Sequence, residues 1–257
     1  GDADGNGLPD LFVTNFRDES NTLYLQDTAG LFVDSTKGAG LTGPSLSYVG
    51  WGTQFLDADL DGHEDIVVVN GHIDDYRSQQ KGYHMPAQFF RNTGHGRFSE
   101  VDAKSSGSFF RRKYLGRGLA RLDWNLDGRM DFAVSNMNQP ATLATNRTKN
   151  QGGFLSIRLR ATRTARDAIG AVVRVTAGPD EQTKQLIGGD GFMASNERVV
   201  QFGLADARQI EKVLIEWPSG KSTTLETLPA NVTLDVVEGA PTATLWRGRQ
   251  VEAVEIP

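Results

Sequence analysis

The sequence has 257 residues with 38% hydrophobic and 23% charged side chains, which is typical of a globular chain that can bury a core. Its formal net charge of −5 argues against general nucleic-acid binding, which needs a basic face. The lack of cysteine excludes disulfides and thiolate metal sites, and no apolar run approaches the roughly 20 residues of a membrane-spanning helix.

Three acidic segments share the pattern D-x-[DN]-x-[DN]-G-x-x-D and begin at Asp2, Asp57 and Asp123. Their spacing of roughly 60 residues indicates a repeat with insertions. The chain opens inside the first segment, with no Met and no signal peptide ahead of it. We therefore expect it to be the C-terminal part of a longer protein whose export signal lies upstream. Below, loop 1, loop 2 and loop 3 denote residues 2–10, 57–65 and 123–131.

The pattern of these loops predicts calcium binding. Calcium takes roughly six to eight oxygen ligands at about 2.3–2.6 Å, and side chains at positions 1, 3, 5 and 9 of a tight turn can converge on one ion. Glycine at position 6 permits the sharp bend, and the carbonyl of position 7 adds an oxygen. The predicted ligands of about three structural calcium ions are Asp2, Asp4, Asn6, Leu8 and Asp10; Asp57, Asp59, Asp61, His63 and Asp65; and Asp123, Asn125, Asp127, Arg129 and Asp131.

The loops have three alternative interpretations. An EF-hand needs a bidentate Glu at position 12 and helical flanks, whereas that position is Val13, Val68 or Val134 and the flanks are short and β-branched. Magnesium demands stricter octahedral geometry than flexible, oxygen-rich loops provide. Ordinary β-turns rich in Asp, Asn and Gly remain the alternative, although three matches in register before apolar strands favour a metal.

Short β-strands are predicted around each loop. Apolar runs at 11–13, 66–69 and 132–134 follow the loops directly, and the first two units add a second hairpin. Two hairpins in roughly 60 residues make a four-stranded unit of the size of a propeller blade. The third unit has the segment 142–146 but no clear partner strand. Residues 1–150 are therefore predicted to form three blades.

The pattern changes after residue 150. From Phe154 apolar and polar residues alternate, and further β segments are predicted at 171–176, 183–187, 198–202, 212–217, 222–226 and 232–237. Residues 154–239 are therefore predicted to form a separate small all-β domain, followed by a tail of uncertain order over 240–257. No amphipathic helix longer than about two turns is predicted anywhere.

Two regions resemble known families. The segments before loops 2 and 3 resemble FG-GAP/VCBS repeats of integrin-α-like propellers, namely Trp51-Gly52-Thr53-Gln54-Phe55 and Gly116-Arg117-Gly118-Leu119-Ala120. Asn70-Gly71-His72 is similar to the branch that resembles cartilage acidic protein. The later region resembles the ASPIC/UnbV domain in the segments Ile169-Gly170-Ala171-Val172-Val173-Arg174-Val175, Gly188-Gly189-Asp190-Gly191-Phe192, Gln201-Phe202-Gly203-Leu204 and Trp217-Pro218-Ser219-Gly220-Lys221.

The resemblance implies a partial, integrin-α-like β-propeller of three blades followed by a small all-β ASPIC/UnbV domain. It also implies structural calcium and a secreted protein, located outside the cell, on its surface or in the periplasm. Because a propeller needs roughly four to eight blades to close, three repeats would form an arc. The missing N-terminal blades of the same chain are therefore expected as its neighbours.

The expected function is a non-enzymatic, calcium-stabilised binding or adhesion module for an extracellular protein or glycan. No G-x-S-x-G, H-E-x-x-H or Walker pattern supports catalysis, and an enzyme that acts on polysaccharide with its propeller face is the alternative. The insertion over 71–87 is the preferred contact surface, because loops on a rigid scaffold concentrate binding residues. Its candidate ligand-binding residues, which an ordinary polar loop also explains, are His72, Asp74, Asp75 and His84.

Overall fold

The computed structural model describes residues 1–75, 78, 82–149 and 151–256. The described residues form 21 β-strands, so the prediction of an all-β fold is confirmed. No helix among them has the length and apolar character that crossing a bilayer requires.

Sheet 1 follows loop 1 and has three antiparallel strands in the order β1-β2-β3. The strands are Leu11–Val13 (β1), Thr22–Thr28 (β2) and Leu31–Asp34 (β3). The β2–β3 hairpin turns at Gly30, where φ is +83°, a conformation that glycine adopts without a steric penalty.

Sheet 2 has four strands in the order β4-β5-β7-β8. Loop 2 links its first two strands and places Leu56 opposite Asp65. A separate two-stranded ribbon pairs Met85–Pro86 (β6) with Lys113–Tyr114 (β9). The strands of the sheet itself are Gly50–Leu56 (β4), Asp65–Asn70 (β5), Gln88–Asn92 (β7) and Phe98–Glu100 (β8).

Sheet 3 has the order β10-β11-β12, and its three strands correspond to the first three strands of sheet 2. Its strands are Gly116–Leu122 (β10), Asp131–Asn136 (β11) and Thr142–Ala144 (β12). Loop 3 links β10 to β11 and places Leu122 opposite Asp131, which matches the register of sheet 2. The predicted segment 142–146 therefore supplies the third strand of this sheet.

Sheets 1, 2 and 3 pack face to face in chain order. Ile66 and Val68 of β5 belong to a core shared with sheet 1, while Val67 and Val69 belong to a second core shared with sheet 3. Successive residues of a strand point to opposite faces, so a strand between two sheets is apolar at consecutive positions. All six residues of β5 are buried for this reason, which also explains the continuous apolar run in the sequence.

Residues 154–256 form two further sheets around one apolar core. Sheet 4 has the order β16-β13-β19-β20-β21 and sheet 5 the order β15-β14-β17-β18. Strands β13 and β19 run parallel to each other. The strands are Phe154–Arg160 (β13), Val172–Ala177 (β14), Asp180–Gln185 (β15), Val200–Gly203 (β16), Gln209–Glu216 (β17), Ser222–Pro229 (β18), Val232–Val237 (β19), Thr242–Arg247 (β20) and Gln250–Glu255 (β21).

Two predictions need correction. The segment 240–257 is not a tail of uncertain order, because its described residues form the hairpin β20–β21 at the edge of sheet 4 and bury Ala243 and Leu245 in the core. The predicted number of blades, three, is too low for this β-propeller arrangement. The described residues contain five sheets of three or more strands, because the alternating strands after residue 154 form two more sheets.

Candidate functional site

The three acidic loops adopt the same backbone conformation, which is organised by the aspartate at position 1. Both carboxylate oxygens of this residue accept hydrogen bonds from backbone N–H groups further along its own loop. The distances are 2.9–3.1 Å from Gly5, Asn6 and Gly7 to Asp2, 2.8–3.1 Å from Asp61 and Gly62 to Asp57, and 2.7–3.1 Å from Asp127 and Gly128 to Asp123.

Two positions of each loop are left-handed. Glycine at position 6 has φ of +83°, +94° and +84° in loops 1, 2 and 3, as its place in the pattern predicts. Position 4 is also left-handed, and there only loop 1 has a glycine, Gly5. Loops 2 and 3 carry Leu60 at φ +59° and Leu126 at φ +57°. The sequence gives no signal for this, because leucine rarely adopts positive φ.

The aspartate at position 9 ties each loop to its sheet. Asp10, Asp65 and Asp131 each accept a hydrogen bond from a backbone N–H in the sheet that follows the loop. The donors lie in β2, in β7 and just after β12. The donors are Gln26 at 2.7 Å, Asn92 at 2.8 Å and Asn146 at 2.6 Å. These aspartates therefore have a structural role in addition to the predicted ligand role.

Two asparagines connect neighbouring loops, and sequence reasoning missed them. The Asn92 side chain donates to the carbonyl of Ala3 in loop 1 at 2.8 Å and to that of Glu64 in loop 2 at 3.0 Å. Asn146 donates to the carbonyl of Ala58 in loop 2 at 2.9 Å. Ala3 and Ala58 both occupy position 2, so the same link recurs from one unit to the next. The sequence does contain a signal for this link, because an asparagine stands at the end of β7 and another just after β12.

Loops 1 and 2 each gather three carboxylates. Two ligands of one calcium ion lie at most about 5 Å apart, because each Ca–O distance is about 2.3–2.6 Å. In each group one oxygen per residue lies within 4.8 Å of the others, and the groups are Asp2, Asp4 and Asp10, and Asp57, Asp59 and Asp61. Loop 3 has Asn125 at position 3 and is not such a group of three acidic side chains within the described part of the chain.

Crowding and burial make these carboxylates costly to ionise. Burial, with neighbouring carboxylates adding to it, raises the pKa of Asp57 to about 7, that of Asp65 to about 8 and that of Asp131 to about 6. Burial likewise raises the pKa of four more loop carboxyls, those of Asp2, Asp10, Asp59 and Asp123. A bound cation would favour the ionised form at every one of these positions.

Two carboxylate oxygens in the loops fit a hard cation. Asp59 Oδ1 and Asp131 Oδ2 are buried and accept no hydrogen bond. A buried acceptor without a partner is unfavourable, and a metal ion is one of the partners that can satisfy it. Together with the all-oxygen donor sets of the loops, these atoms match the ligand chemistry of calcium.

Basic side chains also contact the loops, and sequence reasoning did not foresee them. Arg91 of β7 lies 2.6 Å from Asp59 Oδ2 and 3.5 Å from Asp61 Oδ2. In loop 3 the guanidinium of Arg129 pairs with Asp127. At position 7, only a carbonyl oxygen was predicted to matter. The N–H of Leu8, His63 and Arg129 donates to the side chain at position 5 in all three loops, at 2.8–3.0 Å.

Sheets 4 and 5 contact loops 2 and 3. The Lys184 ammonium of β15 donates to Glu64 Oε1 of loop 2 at 2.8 Å. Burial acts to raise the pKa of Glu64, but the charge of Lys184 and the other nearby positive groups outweigh it and hold that pKa well below its usual range. Gly203 of β16 lies against Asp57, and a Cβ at Gly203 would overlap Asp57 Oδ2. No pattern in the sequence connects residues so far apart in the chain.

Loop 3 has its own contacts with this region. Glu197 accepts a hydrogen bond from the Asp123 N–H at 2.9 Å, and the Gln201 side chain donates to the carbonyl of Gly128. Loops 2 and 3 are therefore both in direct contact with residues that follow Phe154.

The candidate ligand-binding residues of the insertion lie partly together. His72 is buried and its Nδ1 accepts a hydrogen bond from the Asp74 N–H at 3.1 Å, while Asp74 and Asp75 are exposed. His84 is bridged through its backbone to Gly71. Residues 76, 77 and 79–81 of the insertion lie outside the described part of the chain. The role of these residues stays a prediction.

Comparisons with known proteins identify two families along the chain. Residues 2–68, which contain loops 1 and 2, match the FG-GAP-like repeat family. Residues 161–243, which lie in sheets 4 and 5, match the ASPIC and UnbV family. A comparison with curated proteins gives no match. The closer relationship to cartilage acidic protein stays a prediction. The two matches confirm both resemblances seen in the sequence, and the protein is therefore an FG-GAP-like repeat protein with an ASPIC/UnbV domain after the repeats.

Proposed function

We propose that the protein is a non-enzymatic, calcium-stabilised extracellular module that binds a protein or glycan. The observation that supports it most is the recurrence of one loop conformation three times, with carboxylate oxygens gathered within 4.8 Å in two of the loops. FG-GAP-like repeats are typical of extracellular proteins, which supports a location outside the cell, on its surface or in the periplasm.

Calcium in this proposal supplies positive charge and oxygen coordination, and it stabilises the fold. Loops 2 and 3 each join two strands of a sheet, and in all three loops the last aspartate also bonds the backbone at or just after a later strand. Neutralising the crowded carboxylates would therefore stabilise several strands at once. The residues that would hold the ions are the side chains at positions 1, 3, 5 and 9 and the carbonyls at position 7.

We also propose an assignment of the sheets. Sheets 1, 2 and 3 each follow the order of loop, strand and returning strand, and they would carry the FG-GAP-like repeats. Sheets 4 and 5 share one core and would constitute the ASPIC/UnbV domain. In this proposal the domain limits are the predicted 1–150 and 154–239, with the hairpin β20–β21 added to the second domain because it pairs with β19 in sheet 4.

Calcium titration by calorimetry tests the metal. The parent protein is expected to bind about three ions with dissociation constants of roughly 10⁻⁴–10⁻³ M, the range of extracellular modules. The variant Asp57→Ala/Asp61→Ala should lose one site, and the gentler Asp59→Asn should weaken it. Asp206→Asn, at an exposed position outside the loops, is the matched control and should behave as the parent. Undiminished binding by the first two variants would remove loop 2 from the proposal.

Binding to an array of glycans and extracellular proteins tests the wider function. Retention that disappears with a calcium chelator supports a binding module. Turnover of a polysaccharide, lost in His72→Ala and kept in His95→Ala, would instead support the enzyme that the sequence leaves as its alternative.

A further inference from the structure

The segment 190–193 of the ASPIC/UnbV region lies against the first strands of sheets 2 and 3. A Cβ at Gly118 of β10 would be 3.0 Å from the Met193 carbonyl oxygen, so the two backbones are in close contact. The Gln54 side chain of β4 donates to the carbonyl of Asp190 at 3.1 Å. The backbone of this segment is therefore held by both strands.

Side chains of this segment and of the two strands form one partly exposed cluster. The Phe192 ring lies 5.1 Å from the indole of Trp51 in β4, with an angle of 55° between the ring planes. The guanidinium of Arg117 in β10 lies 4.2 Å from the centre of the same indole. Phe192 is 40% exposed and Met193 is 84% exposed. The cluster therefore presents apolar side chains to solvent where the ASPIC/UnbV region meets β4 and β10.

The cluster continues past the end of β5. The Trp51 indole N–H donates to the carbonyl of Gly71 at 2.7 Å, and the Arg117 guanidinium donates to the carbonyl of His72 at 3.0 Å. The imidazole of His72 packs in turn against the Phe16 ring at 5.6 Å, and Phe16 is 45% exposed. We call the five side chains of this cluster the aromatic surface: Phe16, Trp51, Arg117, Phe192 and Met193.

The backbone at Met193 is strained. Its φ of +47° is left-handed, a conformation that residues with a side chain adopt only at a cost in energy. Burial of the side chain does not offset this cost, because Met193 is almost fully exposed. Strained residues persist where the surrounding structure enforces them, and they concentrate at sites that hold ligands. The exposed side chain and the strain together indicate a contact with a partner.

The composition of the aromatic surface favours a protein partner. Aromatic residues, methionine and arginine are enriched at protein–protein interfaces, whereas lysine, aspartate and glutamate are depleted there. A glycan would need hydrogen-bond partners for its hydroxyl groups. The indole N–H of Trp51 is already bonded to Gly71, so among these five side chains only Arg117 has such groups to offer.

Arg117 indicates the charge of the partner. Its half-buried guanidinium donates to three backbone carbonyls, those of Gly71, Gly116 and His72, at 2.8–3.2 Å. These bonds do not use all of its N–H groups. No carboxylate forms an ion pair with it among the described residues. A carboxylate from a partner would complement this charge, and such charge-assisted hydrogen bonds are strong.

We propose that the aromatic surface is the docking site for a protein segment that carries a large apolar side chain beside a carboxylate. The apolar side chain packs on Phe192 and Met193, and the carboxylate pairs with Arg117. This inference rests on the proposed binding function, and it specifies where the partner binds and to which class it belongs.

A display library of random linear peptides tests the site. Selection on the full chain should enrich peptides with an aromatic or aliphatic residue next to Asp or Glu. Met193→Asp should weaken binding of the selected peptides at least 10-fold, because it places a like charge beside their carboxylate at a position where the fold buries little. Val251→Asp changes a half-exposed residue of β21 and is the matched control, which should bind as the parent does.

The charge of the peptide is tested separately. Replacing its Asp or Glu by Asn or Gln should also weaken binding at least 10-fold, with the protein itself left unchanged. The proposal is overturned if no peptide is enriched, if Met193→Asp binds as the parent does, or if the amide peptides bind equally well.

Two measurements distinguish other occupants of the aromatic surface. Light scattering after size exclusion should give a mass that does not change with concentration. A parent dimer that Met193→Asp converts to monomer would identify a second copy of the chain and overturn the proposal. Glycan binding that Met193→Asp abolishes would overturn it as well. Binding of an extracellular protein that Met193→Asp leaves unchanged would remove this site alone, and the proposed function would stand.

Discussion

The Lys184 ammonium lies 2.8 Å from Glu64 Oε1 and joins the ASPIC/UnbV region to the second acidic loop. The two side chains are 17% and 6% exposed, so the pair lies largely away from water. The ammonium also lies 5.6 Å from the centre of the Phe202 ring. One contact therefore couples the strand that carries Lys184 to the loop that carries four of the predicted calcium-binding aspartates.

Lys184→Met should destabilise the protein by about 3–5 kcal/mol, because it leaves the Glu64 carboxylate buried without its partner. Adding Glu64→Gln should recover much of the loss, since the uncompensated charge is then gone. Urea unfolding measures both values. The exposed Lys212→Met is the control and should change stability by less than about 0.5 kcal/mol. If Lys184→Met alone is as stable as the parent, the ion pair contributes nothing to stability.

Gly203→Ala should cost about 1–3 kcal/mol, because the added methyl group has to displace the Asp57 side chain or move β16 away from loop 2. The affinity for calcium should fall as well, since Asp57 occupies position 1 of that loop. Gly189→Ala is the matched control, as a Cβ there meets no atom within 4 Å. Thermal unfolding and calcium titration of the two variants give the comparison, and equal behaviour would contradict the close packing.

Stability should depend on pH through Asp57, Asp65 and Asp131. Their folded-state pKa values of about 7, 8 and 6 lie above the ordinary 3.8, so the folded protein binds protons more tightly than the unfolded chain. Stability from these groups is therefore fully present below the ordinary 3.8 and is lost as the pH rises from there through about 6 to 8. The pKa of Glu64 is lowered, so its contribution is complete above its ordinary 4.5.

Calcium should reverse this trend, because it binds the ionised carboxylates. With chelator, the melting temperature is expected to fall between pH 5.5 and about 8. The fall should equal roughly 1.4 kcal/mol per pH unit for each of these groups that is still protonated in the folded protein. With calcium at about 10 mM, the melting temperature should rise most at the upper end of that pH range. A melting temperature that rises with pH in chelator would contradict the direction of the shifts.

Leu126→Gly should leave stability unchanged or raise it by up to about 1 kcal/mol. The left-handed conformation of leucine costs the folded protein about 1–2 kcal/mol, and glycine removes this strain. Glycine also gives the unfolded chain more backbone freedom, which lowers the stability by about 0.5–1 kcal/mol. The side chain is 72% exposed, so little burial is lost. Leu60→Gly is the contrasting variant. It relieves the same strain but removes a side chain that is 1% exposed, so it should cost about 2–5 kcal/mol.

The features that sequence alone predicted are local ones. The acidic spacing, the glycine at position 6 and the short apolar runs each depend on a few adjacent residues, and the strands and turns form where these patterns place them. The strands after residue 154 were also predicted, because they alternate with period two. The hairpin β20–β21 was missed, since its outer strand is exposed and carries no strong apolar pattern.

The contacts between distant segments could not be predicted. Lys184 looks like any strand lysine until β15 is placed beside loop 2, and Gly203 looks like a turn residue until Asp57 lies against it. The left-handed leucines at position 4 gave no signal, because only glycine or asparagine would have indicated that conformation. A pattern shared by loops can therefore predict their residues without predicting what surrounds them.

The amide side chains of Asn92 and Asn146 have a consequence for how such a protein can lengthen. Each belongs to one unit and bonds the carbonyl at position 2 of the unit before it, so each unit contains the residue that links it to its predecessor. Duplicating a whole unit would also duplicate this asparagine, and the new unit could form the same hydrogen bond with its neighbour. Variation in the number of repeats would then require no compensating change elsewhere in the chain.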